Sequence, residues 1–234
     1  LKEHFQKLAF KIKKYKFVVD IGSNDGILLD PLYKLNVKSL GIDPSINVGK
    51  IANKRGLKTY IGFFDKLMIK KVLKNYLKPD LIVASSVVTH LENPIIFAKN
   101  IKEFLQKNGT LIIEIEYLQN FLKNFEFERF YFDRPFYYSA NSIDILFKNA
   151  GMQLYDIEKI DVHGGSLRCY IKNCSKFKVS KRCRKILSDE KHKLNLQAFK
   201  KFNKEIYRHS NILKDYLIKF KQDNLNVIGY GAPA

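Results

Sequence analysis

The stretch Phe17-Val18-Val19-Asp20-Ile21-Gly22-Ser23-Asn24-Asp25-Gly26 decides the fold. Its apolar first half reads as a short buried strand that runs directly into a glycine-containing turn. Gly22 lets a ligand approach the backbone, and Gly26 permits close packing where the next helix begins. Working outward, residues 25–34 continue as a helix with Pro31 in its first turns, and residues 39–43 form a second strand ending on Asp43. Helices over 48–56, 68–78 and 94–107 alternate with strands over 58–61, 80–86 and 110–116, and residues 1–16 form a leading helix. Such strict alternation predicts an α/β fold built on a doubly wound, mostly parallel sheet.

Beyond this core the pattern changes. Residues 120–139 are rich in aromatics without clear periodicity and read as a loop or lid. A helix over 140–150 is followed by strands over 153–159 and 167–172, joined by the turn Ile160-Asp161-Val162-His163-Gly164-Gly165-Ser166. Between residues 180 and 224, Phe199, Phe202, Ile206, Leu213, Leu217 and Phe220 recur at helical spacing among many lysines. One or two long amphipathic helices follow from that, their apolar stripe reading as core packing. The expected division is a ligand-binding domain over 1–178, then a helical linker and the start of a second unit over 179–234. Both ends read as cut points in a longer protein.

Composition narrows the function classes. With 234 residues, 46% of them hydrophobic, the chain suits one full domain plus a smaller element. The three cysteines, Cys169, Cys174 and Cys183, are odd in number and lack CxxC spacing, which suggests a reducing, cytoplasmic setting and no metal site. No apolar run reaches the roughly 18–20 residues of a membrane span. The formal charge of +19 comes from 42 basic residues of which only 7 are arginine. Lysine-heavy charge reads first as a solvated surface, then as attraction for a diphosphate-bearing small substrate, and last as a nucleic-acid surface.

The candidate chemistry sits at strand ends. Asp43 closes the second strand just over 20 residues after Asp20, where a carboxylate can accept hydrogen bonds from both ribose hydroxyls. The GxGxxG of nicotinamide dinucleotide sites is absent, and the turn instead offers Asp20 and Asp25. Carboxylates suit a cationic sulfonium with an ammonium group, as in S-adenosylmethionine (SAM), better than a pyrophosphate. The expected cofactor residues are Asp20, Gly22, Ser23, Asn24, Asp25, Gly26, Asp43 and Pro44, with Ser85 and Ser86 from the end of the fourth strand. His90 follows that strand, and its side-chain type suits a general base. Glu116 and Tyr117 end the fifth strand as substrate contacts. Plain alternatives stand beside these: a capping role for His90, aromatic packing for Tyr131, and a simple turn at His163-Gly164-Gly165.

Taken in order, DIGSNDG, GIDP, SSVVTHLEN, GTLIIEIEYL and HGGSLR resemble the C-methyltransferases of nucleotide-linked deoxysugars, of the tylosin type. The resemblance covers about residues 17–172 and extends to NVIGYGAPA. It implies a Rossmann-like class I SAM methyltransferase fold, flanked in the family by a zinc-binding N-terminal domain outside these residues and by a second Rossmann-like domain that YGAPA would open. It implies action on a sugar or keto-deoxysugar nucleotide, in surface-polysaccharide or secondary-metabolite sugar biosynthesis. A ketone at C4 acidifies the neighbouring C3–H, a base removes that proton, and the enolate attacks the methyl group. The resemblance puts His90 and Tyr131 in the reaction and His163, Gly164, Gly165 and Ser166 near the substrate.

One departure changes the chemistry. Where the family reads Tyr-His-Glu-His, this chain reads Tyr131-Phe132-Asp133-Arg134. Arg134 stays protonated and cannot be a base, but it can hold an enolate oxygen, a carboxylate or a phosphate. Two reactions therefore stay open: carbon methylation with His90 or Tyr131 as base, and hydroxyl methylation with His90 as base. Rivals from other classes are an RNA-binding protein or RNA methyltransferase, suggested by the charge, and a catalytically inactive SAM-fold binder, suggested by Arg134. Against RNA, aromatics and lysines lie in separate segments rather than interleaved as in a stacking platform. Oligomeric state is left open.

Overall fold

Five strands, β1 (Phe17–Ile21), β2 (Lys38–Asp43), β3 (Thr59–Ile61), β4 (Leu81–Ser85) and β5 (Thr110–Glu116), run parallel in a computed structural model that describes residues 1–229. The YGAPA turn, 230–234, lies outside the described residues. β7 (Ser166–Lys172) inserts antiparallel between β5 and β6 (Gln153–Ile160), giving the order β3-β2-β1-β4-β5-β7-β6. The chain winds outward from β1 in one direction, returns, and winds outward from β4 in the other. The crevice at that reversal is where ligands bind in open α/β sheets.

Side-chain alternation divides the sheet into two faces. Val19, Ile21, Ile82, Ala84, Ile113 and Ile115 belong to the larger core, which α5 (Pro94–Phe104) and α7 (Ala140–Asn149) cover. Phe97, Ile101 and Phe104 of α5 are buried there, each contributing roughly 1.5–3 kcal/mol through removal of apolar surface from water. Val18, Leu81, Val83, Ile112 and Tyr170 face the other way, against α1 (Lys2–Ile12) and α2 (Leu29–Lys34). α1 buries Phe5, Leu8, Ala9 and Ile12, one stripe at helical spacing. The same alternation puts Asp20, Ser85, Glu114, Glu116, Ser166 and Arg168 on the α1 face. Register then sets Glu114 beside Ser85 on one side and Arg168 on the other, and Glu116 beside Ser166.

Helix starts follow from side-chain caps. Asp65, Asn93, Ser139, Ser180 and Asn195 each accept the backbone N–H three residues on, opening α4 (Lys66–Leu73), α5, α7, α8 (Lys181–Lys193) and α9 (Leu196–Gln222). α3 (Ile46–Lys54) completes the crossover between β2 and β3.

Three expectations change. The helix expected over 25–34 begins only at Leu29, because Asn24 and Gly26 take positive φ (52° and 87°) and hold the chain in turns. The segment expected to be a loop contains α6 (Leu118–Asn124) and a short 3-10 turn, Phe127–Arg129, before an irregular stretch. The apolar stripe of α9 does not pack as core along its length: Phe202 is buried against Phe125 and Phe130, while Leu213 and Leu217 are exposed. No described helix is long and apolar enough to cross a membrane.

The expected boundary at residue 178 does not separate α8 from the sheet. Cys183 of α8 is buried in the main core, where burial pushes its thiol up to about 12. Glu190, 1% exposed, reaches the start of α7 and accepts from the N–H groups of Ala140 (2.6 Å) and Asn141 (2.7 Å). Glu190→Ala strips these buried donors of their partner and should lower stability by about 3 kcal/mol, read as a shift in the urea midpoint, with Glu190→Gln losing less.

Glu158 of β6 generates an acid-stability prediction. Burial would raise its carboxyl, but Lys11 and Tyr170, then Arg182, outweigh burial and bring it down to about 2. A depressed carboxyl stabilises the fold above its ordinary value of 4.5 and loses that contribution as pH falls towards 2. The stability gap between the protein and Glu158→Gln should therefore close across that window in denaturant titrations.

Candidate active site

Two cavities open at the carboxyl ends of β1 and β4, and Gly22 and Ser86 line both. Local backbone geometry makes the junction. Gly22 has φ +73°, and a Cβ there would lie 2.6 Å from Val87 Cγ2. Asn24 and Ser86 are also held at positive φ, 52° and 57°, without being glycine. Strained backbone of this kind persists where the surrounding structure fixes it, and it clusters at ligand sites.

The first cavity, of about 320 Å³, lies between β1, β2 and the segment after β4, with Phe63, Phe64 and Leu91 in its wall. Asp43 is its polar anchor at 7% exposure. One carboxylate oxygen accepts the Asn24 N–H and the other the Ser45 N–H, both at 2.8 Å. Each oxygen keeps a further lone-pair direction, which suits a vicinal diol.

The second cavity, of about 260 Å³, lies on the α1 face and takes in Asp20, Ser85, Glu114, Glu116, Arg134, His163 and Ser166. Burial, then the nearby charges of Glu114 and Asp43, raise the Asp20 carboxyl well above the usual range. No hydrogen-bond donor among the described residues relieves it. A cation beside Asp20 would restore its charged form, so the site fits the ammonium of an amino acid.

Glu114 stands in a different setting. Its oxygens lie 2.9 and 3.1 Å from His4 Nε2, Arg168 Nε donates at 2.7 Å, and Ser85 Oγ donates at 3.1 Å. Burial would raise this carboxyl too, yet His4 and Arg168 outweigh it and hold it below the ordinary range. At the outer wall, Arg134 Nη1 donates to Glu116 at 2.7 Å, and its guanidinium lies 5.6 Å from the Tyr131 ring centroid. His90 lines the first cavity, with Nδ1 3.3 Å from the Asp133 carbonyl oxygen and 3.8 Å from its carboxylate.

The structure sorts the residues expected from sequence. Asp20, Gly22, Asn24, Asp43, Pro44, Ser85 and Ser86 line the cavities, as do Glu116, His163 and Ser166. The rest of the expected contacts fall elsewhere. Ser23 is fully buried with its Oγ against β2, where a Cβ on Gly41 would touch it. Asp25 turns out towards Arg55, 3.9 Å away. Gly26 makes room for Leu57 of the α3–β3 connection. Tyr117 is 2% exposed in the main core, its hydroxyl on Gln119, because it follows Ile115 onto the opposite face. Gly164 and Gly165 face Arg129 and Asn120. Tyr131, Asp133 and Arg134 share a shallow outer hollow, and only Arg134 reaches the second cavity.

Sequence reasoning missed His4, Glu114 and Arg168. The available signal was charge inside apolar strands: Glu114 sits within Thr110–Glu116, and Arg168 within Ser166–Lys172. His4 borders the buried stripe of α1, four residues before Leu8.

The fold is that of the class I SAM-dependent methyltransferases. The family described as methyltransferase domain matches residues 1–157, and the chain belongs to it. The C-methyltransferase C-terminal domain matches residues 161–234. C-methyltransferase NovU of Streptomyces niveus is 24% identical over 92% of this chain and 52% of its own length. Ubiquinone biosynthesis O-methyltransferase of Pelagibacter ubique is 29% identical over 47% of this chain and 45% of its own, and a Campylobacter jejuni tRNA U34 carboxymethyltransferase is 34% identical over 45% and 37%. The chain thus spans about half the length, or less, of these curated relatives. Among solved structures, a SAM-dependent methyltransferase from Thermotoga maritima superposes with TM-score 0.55 at 20% identity, over 75% of this chain and 89% of that one. Magnesium protoporphyrin IX methyltransferase from Synechocystis, solved with bound S-adenosylhomocysteine, gives 0.55 at 13% identity, over 73% and 82%.

Asp43→Ala should weaken S-adenosylhomocysteine binding about a hundredfold in calorimetry, through loss of two hydrogen bonds to one charged acceptor. The raised Asp20 carboxyl must ionise to meet the ligand's ammonium. Binding should therefore release a proton and tighten as pH rises, and the apparent enthalpy should vary with the ionisation enthalpy of the buffer. A buffer-independent enthalpy would show that Asp20 does not meet the ammonium.

Proposed function

We propose that the protein transfers the methyl group of SAM to a sugar carbon beside a ketone, in a nucleotide-linked deoxysugar. The observation that carries this reading is Arg134, whose guanidinium lines the cavity that joins the donor crevice at Gly22 and Ser86. Glu116 fixes it there at 2.7 Å. A fixed cation at that point suits the oxygen charge that develops when a C–H bond next to a ketone is broken. A hydroxyl acceptor would need a base but no such cation. The likeness to NovU and to the C-methyltransferase C-terminal domain supports the same choice.

SAM, when bound, supplies the electrophilic methyl group that the acceptor carbon attacks. Asp43 would hold the ribose hydroxyls, and Gly22 would leave room for the chain of the donor to pass. Asp20 would face its ammonium. His90 keeps Nε2 without a partner among the described residues, while Asp133 lies 3.8 Å from Nδ1, the arrangement of an oriented base. His90 takes the proton from the carbon, and Arg134 holds the oxygen.

The test is an incubation of nucleotide-linked 4-keto deoxysugars with SAM, followed by mass and NMR analysis. The expected product carries one added methyl on the carbon beside the ketone. With S-adenosylhomocysteine in place of SAM, deuterium from heavy water should enter that same carbon. Arg134→Leu should lower kcat about a hundredfold while S-adenosylhomocysteine affinity stays unchanged, and His90→Gln should abolish the deuterium exchange. A methyl group found on oxygen, or full turnover in Arg134→Leu, would sink this reading.

A further inference from the structure

We infer that the hollow between α6 and the joint of α8 with α9 is a binding site for a diphosphate-class anion. The inference stands on this hollow alone and goes beyond the methyl-transfer reading. The hollow measures about 440 Å³, more than either cavity at the strand ends. Lys123, Lys159, Lys193 and Lys201 line it, and no aspartate or glutamate does. They come from four separate elements, α6, β6, α8 and α9, so tertiary packing rather than a local run brings them together. All four are exposed, and among the described residues none forms an ion pair. Lysines on a convex face are each solvated separately. A concave wall of one sign instead focuses field lines and concentrates counter-ions. Four ammoniums around one space repel one another, and an anion with two or more charges relieves them together. Lysine meets phosphate as a point charge with three donors.

Two of the ammoniums are held in place without being neutralised. Lys201 Nζ lies 5.9 Å from the Phe125 ring centroid, and Lys159 Nζ lies 5.9 Å from that of Tyr117. Phe125 is itself fixed: it caps α6 at φ 58° and stacks on Phe202 of α9 with ring centroids 6.5 Å apart. Gln119, also in the wall, accepts the Tyr117 hydroxyl on Oε1 at 2.9 Å, which leaves its amide N–H groups to donate. The carboxylates nearby do not compensate the lysines. Glu190 is taken up by the N–H groups that open α7, and Lys159 borders a neighbouring hollow with Glu158 and Asp189 but pairs with neither. Asn120 donates from the wall to the Gly165 carbonyl oxygen at 3.2 Å, and Gly165 adjoins Ser166 of the second cavity. The hollow therefore lies behind the turn that borders that cavity. A diphosphate there has two sources, a nucleotide-linked acceptor or a separate nucleotide, and both present the same chemistry to the lysines.

Calorimetry with inorganic pyrophosphate tests the site. The unaltered protein should bind it, and Lys123→Gln combined with Lys201→Gln should weaken binding about a hundredfold. Lys214→Gln combined with Lys219→Gln removes the same charge from an exposed part of α9 outside the hollow, and should leave binding within about twofold. Lys123→Arg combined with Lys201→Arg keeps the charge and should keep the binding, which guards against a folding defect in the glutamine pair. Equal loss in the two glutamine pairs would mean that pyrophosphate answers only to overall charge. That result, or no binding by the unaltered protein, overturns the inference. Thymidine diphosphate glucose, added to protein saturated with pyrophosphate, separates the sources. Displacement of pyrophosphate assigns the hollow to the diphosphate of a nucleotide-linked sugar, and binding of pyrophosphate that persists assigns it to a separate one. Neither measurement depends on methyl transfer, so failure of the reading under the previous heading would leave this one standing.

Discussion

Glu114 is a carboxylate in the middle of a buried strand, stable there because Arg168 faces it from the neighbouring strand at 2.7 Å. Taking two charges out of water costs several kcal/mol each, so the pair depends on good geometry and on further hydrogen bonds. His4 and Ser85 supply these on the Glu114 side. On the other side Arg168 reaches Glu158 at 3.4 Å, which also accepts from Tyr170 at 2.7 Å and pairs with Lys11 and Arg182. A continuous polar layer therefore runs across β5, β7 and β6 and ties α1 and α8 to the sheet. The antiparallel β7 is what brings Arg168 to Glu114, so the reversed strand and the site depend on the same contact.

Asp20 is the counterexample on that face. It is as buried as Glu114, but among the described residues no cation lies beside it, and its raised carboxyl reflects that imbalance. The fold carries an unpaired buried carboxyl at the strand end where the chain reverses direction. Backbone strain collects at the same place, with Asn24 and Ser86 both in the left-handed region. Ser86 is held there by its N–H on the Glu114 carbonyl oxygen at 2.9 Å. A site prepared in this way gives up some stability for a ligand that can repay it with a positive charge.

The walls of the site draw on different parts of the chain. The crevice beside Gly22 and Ser86 is made by the sheet and its first turns, within the residues 1–157 that the methyltransferase domain matches. The outer wall comes from the end of β5, the aromatic stretch carrying Tyr131 to Arg134, and the turn at His163. These connections can vary without disturbing the core, because loops carry little of the buried surface. Arg134 lies in that outer wall.

The amino-acid sequence by itself determined the alternation of strands and helices, the crevice beside Gly22 and the carboxylate of Asp43. Each follows from local rules: apolar period, glycine conformations and the distance between successive strand ends. It also marked Arg134 as a group that cannot be a base. Only the tertiary structure decided which polar side chains share a face and which meet. Ser23, Asp25 and Gly26 sit in the same turn as Gly22, yet packing against β2, Arg55 and Leu57 takes them out of the cavities. Tyr117 adjoins Glu116 but points into the core, since neighbouring residues of a strand face opposite ways. His4 joins Glu114 across 110 positions and approaches Arg168 across 164. Such meetings depend on strand order and on where α1 docks, and these are set by long-range pairing and burial rather than by any local pattern.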